Sequence, residues 1–242
     1  MSKPKYQRIL LKVGGEALLA NRDYGISFKA TTNVAKQIKD VHSLGTQIAL
    51  VIGGGNIFRG IAGSHAGWDR ASADYMGMLA TIINGLALQS AMEKIGLDTR
   101  VQSALDIPKV AEPFIRRRAI RHMEKGRVVI LVAGTGSPYV TTDSGAALKA
   151  LELSCDILMK ATKVDGVYDK DPLKHKDAKR YSHLSFMDAI KEDGIQIMDN
   201  AAISLCMDNK LPIYVFNLFE TDNLKRAVSG EDIGTIINDR DS

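Results

Sequence analysis

Short aliphatic runs alternate with longer stretches of helical periodicity along almost the whole chain. Apolar, β-branched runs predict strands near 8–13, 46–52, 99–104, 127–132, 155–161, 212–217 and 234–237. Between them, helical patterns cover 28–44, 69–95, 115–125, 143–153, 186–191, 199–210 and 223–229. Strands written as continuous apolar runs, such as Val128–Val132, are those buried on both faces. The alternation predicts an α/β fold: a three-layer αβα sandwich with a mainly parallel central sheet. No repeats or low-complexity segments interrupt it.

Two segments stand out from this pattern. The helix at 69–95 carries little charge after Asp74, and apolar or small residues occupy nearly every side. Such a helix is expected to be buried all round, with a second subunit covering one side. The stretch 163–180 is rich in Asp, Lys, Pro and Gly and reads as a candidate mobile flap near a nucleotide.

Composition narrows the function without fixing it. With 242 residues the chain can bury one core, or two lobes of one continuous sheet. Apolar residues make up 45% and charged residues 25%, as in soluble globular proteins. A net charge of +4 is too slight to point to nucleic acid but suits anionic substrates. The cluster Arg116, Arg117, Arg118 and Arg121 reads as a solvated or subunit-contact face. Cys155, read in a strand, and Cys206, read in a helix, sit in apolar patterns without a CxxC and are expected to be reduced core residues. Lys12 and Glu16 interrupt the only N-terminal apolar run, so no signal peptide is read. The longest uncharged stretch, 76–92, is broken by Gly77, Thr81, Asn84, Gly85, Gln89 and Ser90, too many for a membrane span. No membrane association is expected, and the expected location is cytoplasmic.

The chemistry collects where strands end. Three apolar runs open onto glycine-rich polar loops: Lys12-Val-Gly-Gly15, Gly53-Gly-Gly-Asn56 with Arg59, and Ala133-Gly-Thr-Gly-Ser-Pro-Tyr-Val-Thr-Thr-Asp143. Open α/β sheets bind ligands beyond the carboxyl ends of their strands. Glycines let backbone N–H groups approach phosphate oxygens, and a neighbouring lysine offsets charge on a transferred phosphoryl group. The second loop matches neither the Walker GxxxxGK[ST] pattern nor the dinucleotide GxGxxG fingerprint. Asp74 is either a helix-dipole partner or an acceptor for ribose hydroxyls. Asp143 is either a helix cap or first-turn acid, or the carboxylate that orients a lysine or a Mg²⁺-phosphate complex. The run from Lys160 to Pro172 brings Thr162, Tyr168 and Asp171 beyond another strand, suiting adenosine or a plain charged loop. Asp199 reads first as an N-cap.

Together these residues resemble the bacterial uridylate kinases of the amino acid kinase superfamily. The matching pieces are Lys12-Val-Gly-Gly-Glu-Ala-Leu18, Val51-Ile-Gly-Gly-Gly-Asn-Ile-Phe-Arg-Gly60, Asp74-Tyr-Met-Gly-Met-Leu-Ala80, Ala133-Gly-Thr-Gly with Thr141-Thr-Asp-Ser144, 160–171, and Leu211-Pro-Ile-Tyr-Val-Phe-Asn217. They span nearly the whole chain in family order. The resemblance implies the amino acid kinase fold as a single domain over 1–242. An N-terminal lobe (about 1–150) would bind UMP and a C-terminal lobe (about 151–242) would bind ATP. The activity implied is transfer of the ATP γ-phosphoryl group to UMP with Mg²⁺, giving UDP and ADP for pyrimidine biosynthesis.

By the same resemblance, Lys12, Asp143 and Asp199 would be catalytic, and Asp143 would organise the metal-phosphate cluster. ATP would meet Lys12, Val13, Gly14, Gly15, Gly55, Arg59, Thr162, Tyr168 and Asp171. UMP would meet Gly54, Asp74 and the loop of Thr135, Gly136, Ser137, Pro138, Tyr139, Val140, Thr141 and Thr142. A homohexamer built from dimers, with GTP as activator and UTP as inhibitor, is also implied. Three departures mark this chain. Gly14 replaces a frequent Ser, Ser137-Pro-Tyr-Val140 replaces Asn-Pro-Phe-Phe, and Gln89 and Glu93 replace basic residues beside Arg100 and Arg127, the candidate GTP contacts. The rival readings are an acyl-phosphate-forming carboxylate or carbamate kinase, whose pocket needs no ribose-binding acid, and a non-catalytic nucleotide sensor.

Overall fold

The computed structural model describes residues 4–58, 67–191 and 198–239. In chain order the strands are β1 (Arg8–Val13), β2 (Gln47–Ile52), β3 (Thr99–Ser103), β4 (Glu112–Pro113), β5 (Val128–Val132), β6 (Ile157–Thr162), β7 (Val167–Tyr168), β8 (Arg180–Tyr181), β9 (His183–Leu184), β10 (Ile213–Asn217) and β11 (Gly234–Ile237). The helices are α1 (Phe28–His42), α2 (Arg70–Lys94), α3 (Arg116–Glu124), α4 (Thr142–Glu152), α5 (Phe186–Lys191), α6 (Asn200–Asp208) and α7 (Asn223–Val228). A 3-10 turn, Gly15–Leu18, follows β1.

Nine strands form one sheet in the order β4-β3-β5-β2-β1-β6-β10-β11-β9, and β7 pairs with β8 in a separate ribbon. Every pairing in the large sheet is parallel except β10 with β11. β1 is central, and the chain builds outward on one side through β5 before crossing to β6 on the other. The carboxyl ends of β1, β2, β5 and β6 therefore meet at a topological switch point, where such sheets form crevices.

Alternation along each strand sends side chains to two separate cores. Ile9, Leu11, Ile48, Leu50, Ile130 and Phe216 pack under α1, α2 and α7. Leu10, Ala49, Val129, Leu131, Leu158 and Val215 pack under α3, α4, α5 and α6. These two layers make the αβα sandwich, as the sequence pattern predicts.

Most element boundaries fall within two residues of the expected ones. Helix starts are set by capping oxygens: Ser27, Asp69, Thr141 and Asp199 each accept from a backbone N–H three residues on. Thr141, not Asp143, caps α4, and Asp143 sits in its first turn. Cys155 lies just before β6 rather than within it; it and Cys206 are buried and unpaired, and burial pushes both thiols up to about 12. Arg116, Arg117, Arg118 and Arg121 are exposed on α3.

Within a single chain one side of α2 stays open, where Tyr75, Leu79 and Ile83 are 42%, 49% and 50% exposed; this is the side that the sequence reading leaves to a second subunit. They recur at four-residue spacing and form one apolar stripe. No helix among the described residues is long and apolar enough to cross a membrane.

Candidate functional site

Lys12 and Lys160 occupy matching positions on neighbouring parallel strands, so both side chains rise from one face of the sheet near its carboxyl edge. α4 packs on that face and supplies Asp143 from its first turn. The Lys12 ammonium lies 2.8 Å from Asp143 Oδ1 and the Lys160 ammonium 2.7 Å from Oδ2. All three side chains are 13–15% exposed. Burial alone would raise the Asp143 pKa, but the charges of Lys12 and Lys160 overcome it and hold the carboxyl below its ordinary value. For Lys160, burial and the Lys12 charge together outweigh Asp143 and Asp199 and push its pKa down.

Asp199 reaches this cluster by its charge and through an intermediary layer. It caps α6 through the Ala202 N–H at 2.8 Å, accepts the Ser144 hydroxyl at 2.7 Å, and accepts the Thr141 hydroxyl. The starts of α4 and α6 are thus tied together around one carboxylate, which fixes the turn carrying Asp143.

Two cavities flank the Lys12–Asp143–Lys160 cluster. One, of about 380 Å³, is lined by Lys12, Val13, Gly14, Ala17, Lys160, Thr162, Lys163, Leu218 and Phe219. The other, of about 250 Å³, is lined by Gly54, Gly55, Phe58, Arg70, Asp74, Gly77, Met78, Thr81, Thr135, Ser137, Val140, Thr141 and Thr142. A third cavity of about 430 Å³ lies beside α1 and the 3-10 turn, shares Ala17, Leu218 and Phe219 with the first, and contains none of the expected site residues.

The walls of the second cavity are held by buried polar contacts. Asn56 and Asn84 exchange amide hydrogen bonds at 3.0 and 2.7 Å, and Asn84 also donates to the Gly53 carbonyl at 2.7 Å. Gly54 lies so close to α2 that a Cβ there would stand 2.7 Å from the Gly77 carbonyl oxygen. Ala133 takes a left-handed conformation, φ 63°, at the end of β5, and its N–H donates to the Thr81 hydroxyl at 2.7 Å. Such a conformation in a non-glycine residue persists only where surrounding contacts impose it.

The remaining expected residues fall in different places. Gly136, Pro138 and Tyr139 do not line the second cavity, although the Tyr139 N–H donates to Asp74 Oδ2 at 2.9 Å. Gly15 packs into the turn against Asn56 and is buried. Gly55 stands on the wall of the second cavity, not the first. Tyr168 donates to Asp165, and burial followed by that bond raises its pKa to about 12. Asp171 organises a turn through the Leu173 N–H at 3.0 Å and pairs with Lys174. Neither Tyr168 nor Asp171 lines the first cavity. Arg59 lies outside the described residues.

Four participants carry no assigned role in the sequence reading: Lys160, Arg70, Thr81 and Asn84. Lys160 had a usable signal, since like Lys12 it is a lone lysine near the end of an apolar strand. No group of three or more His, Cys, Asp or Glu side chains converges to hold a metal among the described residues. Asp143 spends its oxygens on two ammoniums, so a divalent cation at this edge fits only if a nucleotide's phosphates carry most of its coordination.

The comparisons agree with this geometry. The model of the amino acid kinase family matches residues 7–217. The chain superposes on the crystal structure of UMP kinase from Bacillus anthracis with a TM-score of 0.93, 40% identity and 97% of each chain covered. For UMP kinase from Ureaplasma parvum the TM-score is 0.91 and the identity 36%, covering 97% of this chain and 100% of that one. Uridylate kinase from Archaeoglobus fulgidus is similar at a TM-score of 0.73 and 29% identity, over 95% of this chain and 99% of the other. On its strand-end motifs, its sheet order and these matches, the chain belongs to the amino acid kinase family.

Proposed function

We propose that this chain transfers the γ-phosphoryl group of ATP to UMP, giving ADP and UDP. The observation that carries the proposal is the Lys12–Asp143–Lys160 cluster set between two cavities at the switch point, in a chain similar over nearly its whole length to UMP kinases. The C-terminal lobe, about 151–242, supplies most of the first cavity and takes ATP. The N-terminal lobe, about 1–150, supplies the second and takes UMP.

The acceptor phosphate of UMP is already anionic at neutral pH, so no general base is needed. Catalysis then rests on aligning two mutually repelling anions and offsetting the charge that moves between them. Lys12 and Lys160 face that charge, and Gly14 offers backbone N–H at the donor phosphates. Gly54 and Gly55 stand at the acceptor phosphate, with Arg59 in the same sequence motif. Asp74 accepts from the ribose hydroxyls, and the loop from Thr135 to Thr142 encloses the base. Asp199 positions Asp143 through the two helix starts. Thr162 stands at the donor nucleotide; Tyr168 and Asp171 come to the adenosine only if the 163–180 segment folds inward. Mg²⁺ arriving on the ATP phosphates supplies further charge neutralisation, with Asp143 as the nearest protein carboxylate.

The exposed Tyr75–Leu79–Ile83 stripe supports an assembly of subunits, consistent with a homohexamer built from dimers. Effector control by GTP or UTP has weaker support: Arg100 already lies 3.7 Å from Glu93, and Arg127 donates to His122 Nδ1 at 3.1 Å. A cytoplasmic location and a place in pyrimidine biosynthesis belong to the same proposal.

A coupled ADP-release assay with UMP against glutamate, aspartate and carbamate tests the reading. UMP should give turnover well above the water background and the three acyl acceptors should not. UMP turnover at the water background would overturn it in favour of another acceptor or a non-catalytic sensor.

A further inference from the structure

Arg70 is the first residue of α2, where a cation opposes the positive end of the helix dipole. Its i,i+4 pair with Asp74 offsets that penalty only modestly, so helix stability is a weak reason for an arginine at this position. What it does instead is visible in its contacts. Its Nε donates to both oxygens of Asp74, at 3.0 Å to Oδ1 and 2.9 Å to Oδ2. Its guanidinium carbon also lies 5.5 Å from the centroid of the Tyr139 ring. Tyr139 in turn donates its N–H to Asp74 Oδ2 at 2.9 Å, and it holds a left-handed conformation, φ 68°. Three groups from two segments 65 residues apart thus close on one another at the wall of the acceptor cavity.

We infer that Arg70 is a positioning residue for the acceptor, setting preference for a ribose over a deoxyribose nucleotide. The inference rests on the assignment of the UMP ribose to Asp74. A free carboxylate at the start of a helix turns about two torsions, and each alternative rotamer would point its acceptors away from a bound diol. The contact of the single Arg70 Nε with both carboxylate oxygens removes that freedom in a side chain only 15% exposed. A carboxylate has about four acceptor sites. Arg70 takes one site on each oxygen and Tyr139 a second on Oδ2, which leaves acceptor capacity on Oδ1 of a residue that lines the cavity. The same contacts hold Tyr139 in a conformation that an L-residue rarely adopts, so the loop that encloses the base is fastened through Asp74 as well. Arg70 acts on the substrate through Asp74 and the loop, not by touching the transferred phosphoryl group.

The test uses the full-length enzyme with UMP and dUMP as acceptors, comparing the parent with Arg70→Gln, Arg70→Lys, Asp74→Asn and the double variant Arg70→Gln with Asp74→Asn. Loss of a charge-assisted hydrogen bond predicts that Arg70→Gln raises the KM for UMP about tenfold. The KM for ATP and the kcat should stay within a factor of about two, because nothing on the donor side is altered. The UMP-to-dUMP ratio of kcat/KM should fall toward that of Asp74→Asn. Arg70→Lys should recover part of the ratio, since an ammonium pairs with Asp74 but lacks the planar guanidinium that meets the Tyr139 ring. In the Asp74→Asn background, removing Arg70 should add little, because the two act as a unit. A UMP KM in Arg70→Gln that matches or falls below the parent's, an unchanged ratio, or fully additive losses in the double variant would overturn the inference. If Asp74→Asn itself leaves the ratio untouched, the ribose assignment fails and the inference falls with it, while parental turnover of UMP still stands.

Discussion

Lys12 and Lys160 face each other in register across the β1–β6 pair, although 148 positions separate them in the sequence. Asp143 joins their ammoniums at 2.8 and 2.7 Å. Two cations fixed at one strand edge form a preorganised site for charge that develops between two nucleotides, and no side chain needs to move to create it.

Both lysines should therefore matter to turnover more than to binding. Lys12→Ala and Lys160→Ala are each expected to lower kcat on the order of 100-fold or more while changing the KM for UMP only a few-fold. Steady-state kinetics with UMP varied at saturating ATP reads both quantities. Equal losses in kcat and in UMP affinity would place the lysines in ground-state binding instead.

The pH dependence follows from the lowered pKa of Lys160. Burial and the Lys12 charge favour its neutral form, so the folded pKa lies under the 10.5 of an ordinary lysine. The side chain loses its proton as pH rises through that lowered value. The kcat should accordingly decline on the alkaline side earlier than an unperturbed lysine would allow. Lys160→Arg should remove the decline, because a guanidinium stays charged above pH ~12, even if its absolute rate is lower. An identical alkaline limb in parent and variant would assign it to another group.

Much of this was legible in the chain itself. The strand ends at Gly14, Gly53 and Ala133 carry their own punctuation, and burial on both faces makes their strands continuous apolar runs. Asp143 was readable as a cap or first-turn acid at a helix entrance, though the cap itself is Thr141. Sheet order was not, because nothing local in 155–162 says that this strand lies against β1. Hence Lys160 received no role beside Lys12. Asn84 was read as a polar break in an apolar helix, since its partner Asn56 lies 28 residues away on a loop. The short strands β4, β7, β8 and β9, each of two residues, are too brief to show any period. Arg70 was invisible for the opposite reason: an arginine four residues before an aspartate on a helix is ordinary, and only the fold brings Tyr139 to it.

Thr81 offers a test of how the acceptor loop is supported. Its hydroxyl accepts the Ala133 N–H at 2.7 Å and donates to the Met78 carbonyl, and the side chain is 6% exposed. Thr81→Val keeps the shape but leaves that N–H buried without an acceptor, at a cost of about 1–3 kcal/mol. Thermal unfolding should shift down accordingly, and the KM for UMP should rise as the left-handed Ala133 loses its restraint. A variant with parental melting and parental KM would show that β5 ends correctly without this bond.

The exposed stripe on α2 predicts the state of assembly. Leu79 is 49% exposed midway between Tyr75 and Ile83, one helical turn from each. Singly exposed apolar residues are common, but a row of three on a helix whose other sides are buried is the pattern of a contact surface. A charge introduced at its centre must be desolvated when two such faces close, whereas in a lone chain it simply meets water. Leu79→Glu should therefore leave the fold and its circular dichroism intact while light scattering reports a smaller species than the parent. If the parent is monomeric, or if the variant retains the parental mass, the subunit contact lies on another face of the molecule.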